Sequence, residues 1–227
     1  MPASRKHSAS RTPPAGDEQA DLADAIAALR AGDPVLRGVI DLVGIDGLGD
    51  PRAGRPSDPY GSLVRSIVGQ QLSTTAARAI FGRLIERFGG RPPTPAEVLA
   101  DDPDELRIAA GLSHAKVRYL RSLSEHVLDG SLELDRLDSM PDEEVTAELT
   151  AVRGIGTWSA DLFLMFQLRR PDVLAAGDLG IRRTVMQRYG LAALPSPAEL
   201  EQIAEPWRPH RTLACRFLWR SAHLTPV

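Results

Sequence analysis

Leu149-Thr150-Ala151-Val152-Arg153-Gly154-Ile155-Gly156-Thr157-Trp158-Ser159-Ala160 is the stretch on which the reading of this chain turns. A run opening at Met140-Pro141-Asp142-Glu143 precedes it, and Asp161-Leu162-Phe163-Leu164-Met165-Phe166 follows; both read as helices. Two glycines around one apolar residue let the backbone turn tightly while Ile155 plugs into the core between those helices. The amides of Gly154, Gly156 and Thr157 are then unhindered at a helix N-terminus. Such amides, with the helix dipole, bind phosphate without reading sequence. The tripeptide alone says little, because any Gly-x-Gly can end one helix and begin another.

Outward from the hairpin the pattern stays helical. Residues 1–16 hold Arg5, Lys6 and Arg11 with no acid, and read as a disordered basic tail. From Asp17 onward Leu22, Ile26 and Leu29 recur at helical spacing, and the Gly/Pro/Asp-rich span 44–59 reads as a loop. Pro59 opens a long helical stretch carrying Leu63, Ile67 and Val68, then Ala76, Ile80, Leu84 and Ile85, stopped at Gly89-Gly90. Thr94-Pro95-Ala96-Glu97 is a capped helix start, and Asp102-Pro103-Asp104-Glu105 and Met140-Pro141-Asp142-Glu143 repeat its form. Ser113 caps the helix bearing Val117, Leu120, Leu123 and Val127, and further helices are expected near 156–169, 179–189, 196–205 and 208–223. No period-two run appears. The expected fold is all-α, a two-lobed helical bundle over residues 17–227 with an active-site cleft between the lobes.

Composition narrows the classes. With 227 residues, 43% hydrophobic and 25% charged, the chain is that of an ordinary soluble globular protein. No uncharged apolar run approaches the roughly 18 residues needed to span a bilayer, so no membrane partner is expected. The N-terminus carries no apolar secretory stretch, so the expected location is cytoplasmic. A lone cysteine, Cys215, excludes an internal disulfide, a four-thiolate zinc site and a cysteine-ligated iron–sulfur cluster. The net charge of −3 hides an asymmetry: residues 151–227 carry ten Lys+Arg against six Asp+Glu, while residues 1–150 carry 17 against 24. Only Lys6 and Lys116 could supply an amine for Schiff-base chemistry.

The longer pattern Leu-x-x-Val-x-Gly-Ile-Gly-x-Trp-Ser-Ala resembles the helix-hairpin-helix of the DNA base-excision glycosylase superfamily. That resemblance implies a monovalent cation, Na+ or K+, between protein and phosphate, held by main-chain carbonyls matching Thr150, Val152 and Ile155; a water is the alternative occupant. The superfamily places its essential aspartate about twenty residues past the hairpin. Asp178, which lies 22 residues after Gly156 in Pro171-Asp172-Val173-Leu174-Ala175-Ala176-Gly177-Asp178, matches it. Its other reading is as N-cap of a helix starting at Leu179, and the two roles are compatible. Breaking a purine N-glycosidic bond leaves an oxocarbenium-like sugar, which one ionised Asp can stabilise while it orients water. A cationic alkylpurine leaves without a dedicated general acid. Bifunctional members carry a lysine two residues past the second hairpin glycine, where this chain has Trp158. The resemblance therefore implies a monofunctional glycosylase that leaves an abasic site and needs no cofactor for catalysis.

The C-terminal run Glu205-Pro206-Trp207 through Trp219 brings the resemblance closer to the alkylbase glycosylases of the 3-methyladenine type. Trp219, Trp158 and Leu162 match positions lining their base pocket, where indole faces suit a cationic purine. Trp207 reads as core. Ser66-Ile67-Val68-Gly69-Gln70-Gln71-Leu72-Ser73 matches the segment that fills the gap left by a flipped nucleotide, with Gln71 as wedge and Leu72 in reserve. The plain alternative is a Gln-rich turn capped by Ser73. Gly111-Leu112-Ser113-His114-Ala115-Lys116 also resembles the family, either holding phosphates or leaving His114 and Lys116 as solvated first-turn residues. The match spans roughly residues 20–223. The implied partner is double-stranded DNA containing alkylated bases, bound by a monomer. A non-enzymatic helix-hairpin-helix DNA-binding module and a helical interaction scaffold are the rival classes.

Overall fold

The structure is a computed structural model that describes residues 15–51, 53–222 and 224. In chain order its α-helices are α1 (Ala15–Gly32), α2 (Pro34–Leu48), α3 (Pro59–Gly69), α4 (Thr74–Arg87), α5 (Pro95–Ala100), α6 (Pro103–Ala110), α7 (His114–Leu128), α8 (Asp142–Ala151), α9 (Thr157–Phe166), α10 (Leu179–Arg188), α11 (Pro197–Ile203) and α12 (Arg211–Ser221). No strand occurs among the described residues. The basic tail falls almost entirely outside them, and α1 already includes Ala15 and Gly16.

Proline and short polar side chains set most helix starts. Asp33, Asp58, Thr94, Asp102 and Ser196 each accept a first-turn N–H from a helix whose opening residue is proline. Proline lacks the N–H that would go unpaired there, and its fixed φ suits the first turn. Thr94 and Ser196 complete capping boxes with Glu97 and Glu199. The expected cap before α8 is absent: Pro141 makes no side-chain cap, and Asp142, Glu143 and Glu144 face the helix dipole instead. The expected loop from Gly44 is also corrected. The helix resumes past a kink at Gly44 (φ 66°) and reaches Leu48, which is buried. The long stretch from Pro59 is two helices, divided at Gln70–Ser73.

Packing divides the helices into two lobes. Helices α3 to α9 pack on one another, and α1 and α2 pack with α10 to α12, so both chain ends build the second lobe. One apolar core runs through both. Within the second lobe the buried carboxylate of Asp33 caps α2 through Oδ1. Its Oδ2 accepts the Tyr189 hydroxyl and, at 2.8 Å, the indole N–H of fully buried Trp207. Two chain segments more than 150 residues apart thus share one acid.

Candidate active site

The hairpin between α8 and α9 is built unequally by its two glycines. Gly154 sits at φ +94°, and a Cβ there would lie 2.1 Å from the ring of Tyr119. Only glycine fits. Gly156 has ordinary extended backbone (φ −102°, ψ 176°) with nothing near a built Cβ, so the turn itself does not demand glycine at this position. What Gly156 provides is an open approach to the start of α9, which has no side-chain cap. Gly156 and Thr157 are exposed, while Val152 and Ile155 are buried as the plug. The carbonyl of Val152 accepts the Ile155 amide at 3.1 Å, and those of Thr150 and Ile155 accept no hydrogen bond among the described residues.

The turn Gln70–Ser73 is pinned to the hairpin from one side. Gln70 Nε2 donates to Gly154 O at 2.8 Å and to Ser159 Oγ at 3.2 Å. Lys116 Nζ donates to Val68 O at 2.7 Å and Gln70 O at 2.9 Å, capping the end of α3. Lys116 is therefore half-buried and bonded to main chain rather than a freely solvated residue, and its burial lowers the ammonium pKa. Gln71 and Leu72 are left outside: Gln71 holds a left-handed φ of 57° with its side chain exposed, and Leu72 is 38% exposed. A non-glycine residue in that region stores roughly 1 kcal/mol of strain. Gln71, Gly154 and Gly156 line the same concavity.

Asp178 fills the N-cap role read from the sequence, and its carboxylate also meets both tryptophans. Its Oδ1 caps α10 by accepting Ile181 N at 2.7 Å, and also accepts Trp219 Nε1 at 3.1 Å. Its Oδ2 accepts Trp158 Nε1 at 2.7 Å. The two tryptophans therefore grip the half-buried carboxylate by their N–H edges, a contact the spacing did not reveal. Gly180 makes room for it, since a Cβ there would sit 3.0 Å from Asp178 Oδ1. The approach loop is tied down by Asp172, which pairs with Arg208 and Arg211, and by Thr212 N donating to Pro171 O. Trp207 is core, as read.

Around this acid lie residues that sequence reading missed. Phe166 stacks on Trp219 with ring centroids 6.0 Å apart, and the Arg55 guanidinium sits 3.7 Å from the Phe166 centroid. Asp161, one turn beyond Trp158, is a second carboxylic acid near Asp178. Burial, then the charge of Asp178, pushes its pKa up to about 7. Leu162 and Trp158 line a cavity of about 230 Å³ between α3, α4 and α9, shared with Arg55, Arg65 and Ser66.

Comparison with known proteins gives the same direction. Residues 64–209 match the family model described as HhH-GPD superfamily base excision DNA repair protein. DNA-3-methyladenine glycosylase 1 of Schizosaccharomyces pombe is 33% identical over 175 residues, covering 76% of each chain. The solved complex of that yeast's 3-methyladenine DNA glycosylase with abasic DNA superposes with a TM-score of 0.83 at 31% identity, covering 90% of this chain and 98% of that one. A DNA-3-methyladenine glycosidase from Bacillus halodurans superposes with a TM-score of 0.71 at 35% identity, covering 88% and 89%.

Proposed function

The chain belongs to the HhH-GPD superfamily of base excision DNA repair proteins, and from that premise we propose that it is a monofunctional DNA glycosylase. It hydrolyses the N-glycosidic bond of alkylated purines of the 3-methyladenine type and leaves an abasic site. The observation that carries the reading is the carboxylate of Asp178, held by three N–H donors from three elements at the junction of the lobes.

In this reading the hairpin amides at the start of α9 grip a phosphate of double-stranded DNA. Gln71, with Leu72 beside it, enters the stack and offsets part of the few kcal/mol needed to evert a base. The base lodges against Trp158, Leu162 and Trp219. Asp178 then faces the sugar as its glycosidic bond breaks. Three donors already occupy its oxygens, so it serves chiefly as a fixed charge beside the developing oxocarbenium, with water aligned to add to C1′. A preorganised charge of this kind needs no reorganisation at the moment of reaction.

Absence of lyase chemistry rests on the amines. Trp158 stands where an attacking lysine would be, and Lys116 donates to the main-chain carbonyls of Val68 and Gln70. The carbonyls of Thr150 and Ile155, free of other donors among the described residues, and of Val152 are an oxygen donor set that fits Na+ or K+. Such an ion would supply positive charge toward the phosphate; no catalytic cofactor enters the reading. Hairpin, wedge and acid all come from one chain, which supports a monomer.

The test is release of free base from methylated duplex DNA, identified by chromatography. Wild type should free 3-methyladenine and should not nick an abasic strand without alkali. Asp178→Asn should lose at least a hundredfold in rate while DNA binding survives. Undiminished turnover by that variant would remove the assignment of the acid, and strand cleavage by pure wild type would remove the monofunctional one.

A further inference from the structure

Two arginines beside the wedge turn have no acid to answer them. Arg87, Arg91, Arg208 and Arg211 each meet a carboxylate. Arg65 on α3 and Arg78 on α4 make no ion pair among the described residues, and none of the residues lining the cavity they share is acidic. Arg65 donates to Gly54 O and lies 6.0 Å from the Phe81 ring centroid, which fixes its direction. Arg78 is exposed and makes no hydrogen bond among the described residues. Arg55 lines the same cavity. Burial, then Arg65 and Arg216, lowers the pKa of Arg55 to about 10; burial, then Arg78, lowers that of Arg65. Three guanidiniums crowded in this way repel one another, and an anion placed among them relieves the repulsion.

Their place relative to the wedge says which anion. Leu72 lines the arginine cavity, whereas its neighbour Gln71 lines the concavity of Gly154 and Gly156. The turn therefore divides two basins, with hairpin amides in one and arginines in the other. A nucleotide everted past that turn carries a phosphate on each side of its sugar. Eversion pinches those phosphates together, and their repulsion adds to the cost of flipping. A side chain filling the gap has the phosphates that flank the gap as its nearest anions. The forked donors of arginine suit phosphate oxygens.

We propose that Arg65 and Arg78, backed by Arg55, form a second phosphate grip, which holds the damaged strand on the side of the everted nucleotide away from the hairpin. This assignment rests on the glycosylase reading above and adds how the strand is held while the base is out. Two grips, one on each side of the wedge, fix both pivots about which the nucleotide turns.

The test is equilibrium binding to a duplex carrying one tetrahydrofuran abasic analogue, with single uncharged methylphosphonate groups walked along both strands. For wild type, binding should weaken roughly tenfold at two places on the damaged strand, one on each side of the analogue. Arg78→Gln should abolish the loss at one place and leave the other, and Gly156→Ala should do the reverse. The slope of log affinity against log salt should flatten by about 0.9 in Arg78→Gln and stay at the wild-type value in Arg78→Lys. Arg65→Gln should remove the same sensitivity as Arg78→Gln; Arg78, exposed, keeps the test readable should loss of the Gly54 contact unfold the Arg65 variant. A single sensitive place, a second one on the opposite strand, or a map unchanged in Arg78→Gln overturns the proposal. The map needs no base release. Should it come out as expected while wild type frees no alkylated base, the glycosylase reading fails and the grip stands. Should base be freed while the second place is missing, the grip fails and the glycosylase reading stands.

Discussion

Two carboxylic acids near the reactive centre have opposite situations. Asp178 has three N–H donors, whereas Asp161 accepts no hydrogen bond among the described residues and is pushed up to about 7 by burial and by Asp178. Unfolding returns Asp161 to about 4. Between these values the folded state holds the proton and the unfolded state does not, so the stability this group contributes is full below about pH 4 and is lost as pH rises through about 7. Asp161→Asn should flatten that decline: its thermal midpoint relative to wild type should rise between pH 4.5 and pH 8, read by melts across the range. Equal displacement at every pH would show that the acid titrates normally. Asp178, Trp158 and Trp219 were legible in the sequence because their spacing carries a family resemblance. Asp161 was not, since what makes it unusual is its burial and, after that, the field of a residue 17 positions away, and both are settled by packing.

The hairpin shows how far a local motif can be read as an element. The Gly-x-Gly gave the turn, the plug and the open amides, but it treated the glycines alike. Tyr119, from a helix distant in sequence, is what makes Gly154 irreplaceable. Gly154→Ala combines a strained positive φ with a clash against that ring and should cost ~3 kcal/mol, seen as a lower denaturant midpoint. Gly156→Ala should fold with nearly unchanged stability and instead weaken binding to undamaged and damaged duplexes alike, because its methyl group intrudes on the phosphate approach. Loss of stability by Gly156→Ala comparable to that of Gly154→Ala would mean the turn itself needs both. The neighbouring Gln70–Ser73 turn interrupts what periodicity reads as one long helical stretch, and the Gln-rich turn capped by Ser73 is what forms there. Helical periodicity continues across it, and what divides α3 from α4 is the pair of anchors from Gln70 and Lys116 to distant partners.

At the scale of the molecule, catalysis needs two lobes held at a fixed separation, and one of them joins the chain's two ends. Helix starts and an all-α class could be read locally. Which helices share a lobe could not, because contacts between segments such as α2 and α12 depend on chain closure rather than on pattern. Asp33 is where that closure is most exposed to test. Asp33→Ala removes the cap of α2 and leaves the Trp207 N–H and the Tyr189 hydroxyl without their acceptor in a buried setting. A lost cap costs up to about 2 kcal/mol and an unsatisfied buried donor about 1–3 kcal/mol. The sum, about 3 kcal/mol after relaxation, corresponds to a fall in thermal midpoint on the order of 10 °C for a chain of this size. Asp33 touches neither the hairpin nor Asp178, so excision per folded molecule well below the melt should stay near wild type. Asp178→Asn should behave conversely, keeping most of the midpoint and losing the rate. If Asp33→Ala instead lost rate at a temperature where circular dichroism shows it fully folded, the lobe built from the chain's ends would be tuning the position of Asp178 rather than merely carrying it.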